Sequence, residues 1–77
     1  MKVIFDFRRL EGRIVERFGT RSALAEKAGF TKSQLSARLT NKVDFDLSEI
    51  YLLCTPELLD IAEADIPMYF FVPRSSV

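Results

Sequence analysis

Between Thr20 and Lys42 the chain reads TRSALAEKAGFTKSQLSARLTNK, and almost all of its long polar side chains are basic. Arg21, Lys27, Lys32, Arg38 and Lys42 offer fixed positive charge and several N–H donors each, the chemistry that meets a polyanion. Other chemistries have little to build on. There is no histidine and one cysteine, Cys54, so an internal disulfide, the common zinc and non-haem iron ligand sets, and Ser-His-Asp or Cys-His nucleophile pairs cannot be assembled. Cys54 lies in the apolar run Ile50-Tyr51-Leu52-Leu53-Cys54, where a small buried hydrophobe is the expected role. Asp44 and Asp46 fall on a loop and a helix cap with no visible pocket, so neither a catalytic step nor a cofactor is expected.

The charges segregate along the chain although the formal net charge is zero. Residues 1–42 carry ten basic and four acidic side chains, whereas residues 43–77 carry only Arg74 against seven acids. The expectation is an electrical dipole, a basic face with an acidic back that limits indiscriminate binding. Seventy-seven residues make one domain with a core too small for a roomy substrate cavity. Hydrophobic residues make up 48% and charged residues 29%, the balance of an ordinary folded protein. No apolar run is long enough to cross a bilayer, and Asp6 arrives too early for a signal peptide, so a cytoplasmic location and no membrane contact are expected.

The elements that must position the basic stretch follow from periodicity. Phe7, Leu10, Ile14, Val15 and Phe18 recur at spacings of three and four and predict a first helix, with Asp6 as N-cap and Gly19 as terminator. Gly12 in its middle suggests a close approach by another helix. Thr20 caps a second helix, Arg21 to Ala28, closed by Gly29. Thr31 and Gln34 read as a capping box that opens a third helix, held to the core by Leu35 and Leu39. Asp46 and Glu49 open a fourth through Ile50, Leu52 and Leu53. At Pro56 either that helix kinks or Thr55 caps a new turn. Leu58, Leu59, Ile61 and Ile66 complete the core. Met68-Tyr69-Phe70-Phe71-Val72 must pack, preferably as a lid on the monomer and otherwise against a second copy, and residues 72–77 are expected to form a frayed tail.

Ala25, Gly29, Phe30, Thr31 and Leu35 stand at the positions where a helix-turn-helix needs a small residue, a turn, a corner plug, a cap and a core anchor. The motif spans about residues 20–41. With it, the passages GRIVERFGTRSALAEKAGF, LSARLTNKVDFDLSEI and LLDIAEADIPMYFF resemble the small helix-turn-helix regulators of temperate bacteriophages, the lambda-type repressor and Cro class, from about Phe7 to Phe71. Where that family often has a glutamine opening the second helix, this chain has Arg21; where it expects an apolar residue, this chain has Arg38, with Leu39 beside it.

The resemblance implies an all-α fold of four to five helices, a compact lambda-repressor-like DNA-binding domain. It implies that Lys32, Ser33, Ser36 and Ala37 face the major groove, where lysine donates to guanine and an alanine methyl touches thymine. Arg21, Gln34, Arg38, Asn41 and Lys42 would reach phosphates, and Thr40 either a base or a phosphate. The expected partner is double-stranded DNA, bound by a homodimer because one such domain reads few base pairs. The function expected from this is sequence-specific transcriptional regulation, a repressor or switch protein occupying an operator through the helix that begins at Thr31. The alternative is a modulator on the same scaffold that complexes a partner phage repressor, a reading suited by the neutral charge, the acidic second half and the apolar tail.

Overall fold

The computed structural model describes residues 2–74, and their regular structure is helical. The helices are α1 (Arg8–Phe18), α2 (Arg21–Ala28), α3 (Lys32–Leu39), α4 (Leu47–Leu53) and α5 (Ile66–Phe70), the last entered through a 3-10 turn at Glu63–Asp65. The all-helical expectation holds.

Local signals set most boundaries. Thr20 Oγ1 accepts from Ala23 N–H, and Thr31 and Asp46 each complete a capping box, with Gln34 and Glu49 respectively. α2 closes on Gly29 at φ 83°, with Phe30 N–H bonded to Ala25 O at 2.8 Å, a Schellman closure that a side chain at Gly29 would strain. α3 closes the same way on Asn41, at φ 65°, with Lys42 N–H on Ala37 O at 2.9 Å. α1 differs slightly from expectation. The helix begins after Phe7, and Asp6, one residue earlier, accepts from Arg8 N–H at 3.0 Å and also grips the Arg8 guanidinium.

Every helix contributes to one core. Leu10 and Ile14, Leu24 and Ala25, Leu35 and Leu39, Ile50 and Leu53, and Ile66 and Phe70 are buried together with Leu58, Leu59 and Ile61 from the loop. Three expectations fail. Val15 is 62% exposed and Leu52 44% exposed, since short helices in a domain of this size can bury only a narrow stripe. A Cβ built on Gly12 would meet nothing within 4 Å, so no helix approaches closely there.

At Pro56 a single hydrogen-bonded turn forms instead of more helix. Thr55 O accepts from Leu58 and Asp60 N–H, and Asp60 adopts φ 51°. The loop carbonyls are satisfied from α1. Arg13 donates to Leu59 O at 2.8 Å and Asp60 O at 2.9 Å, and Arg17 donates to Leu58 O at 3.1 Å and Pro56 O at 3.0 Å.

Residues 4–6 meet residues 72–74. Phe5 bridges Pro73 antiparallel, Asp6 N–H donates to Val72 O and Arg74 N–H to Ile4 O, each at 2.7 Å, so residues 72–74 are paired; the rest of the expected frayed tail, residues 75–77, lies outside the described residues. Phe45 stands edge-on to Phe7 at 5.5 Å and to Phe70 at 5.2 Å, closing the core beneath these segments. The apolar tail is thus only half a lid: Phe70 is buried, while Met68, Phe71 and Val72 stay 39–46% exposed.

Candidate nucleic-acid and partner interface

α2 and α3 meet at the corner Gly29-Phe30-Thr31, with Ala25 only 1% exposed where the helices converge. Thr31 and Gln34 fix the start of α3: Gln34 Oε1 accepts from Thr31 N–H at 2.9 Å and Thr31 Oγ1 from Gln34 N–H at 3.1 Å. The two leucines face inward, leaving Lys32 and Ser33 exposed on the first turn and Ser36 and Ala37 half-buried behind them.

The other expected contact residues are largely engaged within the chain. Arg38 grips Glu49 of α4 with Nε–Oε1 at 2.9 Å and Nη2–Oε2 at 2.8 Å. Its Nη1 donates to Gln34 O at 2.9 Å, and the guanidinium lies 5.3 Å from the Phe30 ring centroid. For Arg38 to meet a phosphate it would have to give up this pair: over Phe30 and clamped to Glu49, it packs where an apolar residue would otherwise stand. This hydrogen bonding holds the Glu49 carboxyl below its ordinary value.

Asn41 is engaged within the chain as well. Its Oδ1 accepts from Phe5 N–H at 2.9 Å and its Nδ2 donates to Phe5 O at 3.0 Å, so the side chain fastens the N-terminal segment instead of reaching outward. Arg21 is turned onto Glu11 of α1, and meeting a phosphate would mean giving up that pair. Thr40 Oγ1 donates to Ser36 O at 2.8 Å at the end of α3. Lys42 remains exposed.

Ion pairs and hydrogen bonds run from the basic half to the acidic half. Lys2 pairs with Asp44 and Arg38 with Glu49, while Arg13 and Arg17 cover loop carbonyls, so the basic half is folded onto the acidic half. Arg8 and Arg13 also pair locally, with Asp6 and Glu16. Among the described residues of the basic half, Arg9, Arg17, Lys27, Lys32 and Lys42 are exposed and form no ion pair, Arg17 being bonded to loop carbonyls.

A second feature was not anticipated. Leu47, Tyr51 and Phe71 line a groove of about 200 Å³ between α4 and α5, floored by the buried Ile50 and Ile66 and bordered by Glu63. The signal lay in α4 itself: Leu47, Ile50, Tyr51, Leu52 and Leu53 are apolar all around the helix, more than one buried face can use. Among the described residues no helix is long and apolar enough to cross a membrane, and no group of three or more His, Cys, Asp or Glu side chains is placed to hold a metal ion.

Fold and site together define a small all-helical domain with a tight α2–α3 corner and a separate apolar groove. The sequence profile of the family described as protein of unknown function DUF739 matches residues 3–72, and the chain belongs to that family. It is also similar to the solution structure of the modulator of repression (MOR) of the temperate bacteriophage TP901-1 from Lactococcus lactis. That likeness has 33% identity and a TM-score of 0.77, covering 87% of this chain and 88% of that one. A comparison with curated proteins found no significant match.

Proposed function

We propose that the chain regulates a temperate-phage genetic switch by complexing a partner repressor protein. The observation that carries this reading is the internal engagement of the expected phosphate contacts, Arg21 on Glu11, Arg38 on Glu49 and Asn41 on Phe5. Affinity for DNA rests on cations free to displace counterions, and both arginines of the α2–α3 stretch are paired within the chain, leaving Lys27, Lys32 and Lys42. The likeness to a modulator of repression across most of both chains supports the same reading. No catalytic step is part of it.

A second reading has one specific observation in its favour. Lys32 and Ser33 are exposed on the first turn of a well-capped α3, as a base-reading helix requires, and a homodimer could read an operator with them.

The two separate in one experiment. The purified chain is mixed with duplex flanking its own gene, with random duplex at two salt concentrations, and with the helix-turn-helix repressor encoded in the same genome, its mass in solution being followed throughout. Binding to the repressor, with no preference for the flanking duplex by the chain alone, is the expected result. Selective, salt-sensitive binding by a dimer of the chain alone would replace the modulator with the operator-binding reading.

A further inference from the structure

We propose that the groove between α4 and α5 is a docking site for a basic amphipathic helix of a partner protein. That the partner is a repressor rests on the function proposed above; the chemistry of the occupant rests on the groove. Leu47 is 70% exposed, Tyr51 54% and Phe71 46%, three large apolar side chains on one side of a small domain. Single exposed apolar residues are ordinary, but a cluster around a concave floor marks a surface that another molecule covers. Leu47 and Tyr51 stand four residues apart on α4, about 6 Å along its axis, so they form a ridge beside which a second helix can lay anchors of the same spacing.

Charge selects the occupant. Glu63 borders the groove, the exposed acids Asp46 and Asp65 immediately precede its residues Leu47 and Ile66, and none of its lining residues is basic. DNA is repelled by such a border. A second copy docked face to face about a two-fold axis would set the Glu63 side chains of both chains in one interface, like charge near like. A helix carrying apolar anchors flanked by lysine or arginine satisfies both the floor and the border.

The test uses the full chain and two probes. The first is a synthetic amphipathic helix with a leucine face flanked by arginines, titrated into isotope-labelled protein and followed by amide chemical shifts, beside a counterpart with glutamates for arginines. The shifts should gather on α4, Glu63–Ile66 and Phe71, and the glutamate peptide should produce none. Leu47→Ser with Tyr51→Ser, and separately Glu63→Lys, should each weaken binding about tenfold or more, as loss of a central anchor does. Val15→Ser, which removes an equally exposed apolar side chain on α1, should leave it unchanged, and circular dichroism confirms that each variant is folded. Shifts centred on α2 and α3, or spread over the surface, would overturn the proposal.

The second probe is the repressor from the same genome. If the chain binds it and the groove variants bind equally well, the groove is overturned while the modulator reading stands. If the peptide maps to the groove and the repressor does not bind, the groove stands and the modulator reading falls.

Discussion

Arg38 and Glu49 join α3 to α4 through two parallel hydrogen bonds of 2.9 and 2.8 Å, with 16% of each side chain exposed. Glu49 Oε1 also accepts from Asp46 N–H, so one carboxylate serves both the ion pair and the capping box of α4. Arg38→Ala leaves this half-buried carboxylate without its strongest donor and should cost about 1–3 kcal/mol in urea unfolding. The pH dependence has a definite sign. The Arg38 hydrogen bond lowers the folded-state pKa of Glu49 below its ordinary 4.5, so the stabilisation is present above that value and lost as pH falls through the folded one. Arg38→Met should flatten this part of the acid limb; an unchanged limb would mean that the pair contributes nothing.

Asn41 combines a left-handed backbone with two hydrogen bonds to Phe5. Asn41→Gly keeps the backbone and loses the bonds, whereas Asn41→Ala loses both. Alanine should therefore be the more destabilising by about 1 kcal/mol in thermal unfolding. Both variants should speed amide exchange at Phe5, and protection equal to wild type would show that the N-terminal segment is held by its pairing with residues 72–74 alone.

Gly12 lies in the interior of α1 with open space where a Cβ would stand. Gly12→Ala should stabilise the domain by roughly 0.5–1 kcal/mol, by removing the entropy that glycine loses on folding. Gly29→Ala, at φ 83°, should destabilise it by a similar amount, about 1 kcal/mol. Chemical denaturation of the pair measures both signs, and a destabilised Gly12→Ala would reveal a neighbour that approaches α1.

Lys32 and Ser33 can be removed without touching the core. Lys32→Ala with Ser33→Ala should melt like the wild type, and any preference for one duplex over another should disappear with them. Arg21→Ala should leave the salt dependence of DNA binding unaltered, because Arg21 is held by Glu11. A salt slope lower by about one unit would mean that Arg21 leaves Glu11 to meet a phosphate.

Much of the fold was legible because its signals are local. Thr20, Thr31 and Asp46 cap helices through atoms three residues away, and Gly29 ends α2 through its own backbone, so no distant partner is needed to read them. Leu10, Ile14, Leu35 and Leu39 were likewise placed by spacing, since a helix repeats every 3.6 residues wherever it packs. The exposure of Val15 and Leu52 was not legible, because periodicity gives a stripe but not the width that neighbouring helices will cover.

The candidate site divides along the same line. The sequence by itself determined helices α1 to α4, the α2–α3 corner and the exposure of Lys32 and Ser33, all properties of a chain segment and its next few residues, whereas α5 was read only as an apolar tail that must pack. Only the tertiary structure decided which charges remain available, because a guanidinium reaches several ångströms and pairs with whatever the fold brings near: Glu11 for Arg21, Glu49 for Arg38, and the loop carbonyls after Thr55 for Arg13 and Arg17. The groove is tertiary for the same reason, since Leu47, Tyr51 and Phe71 become one surface only when α5 packs beside α4.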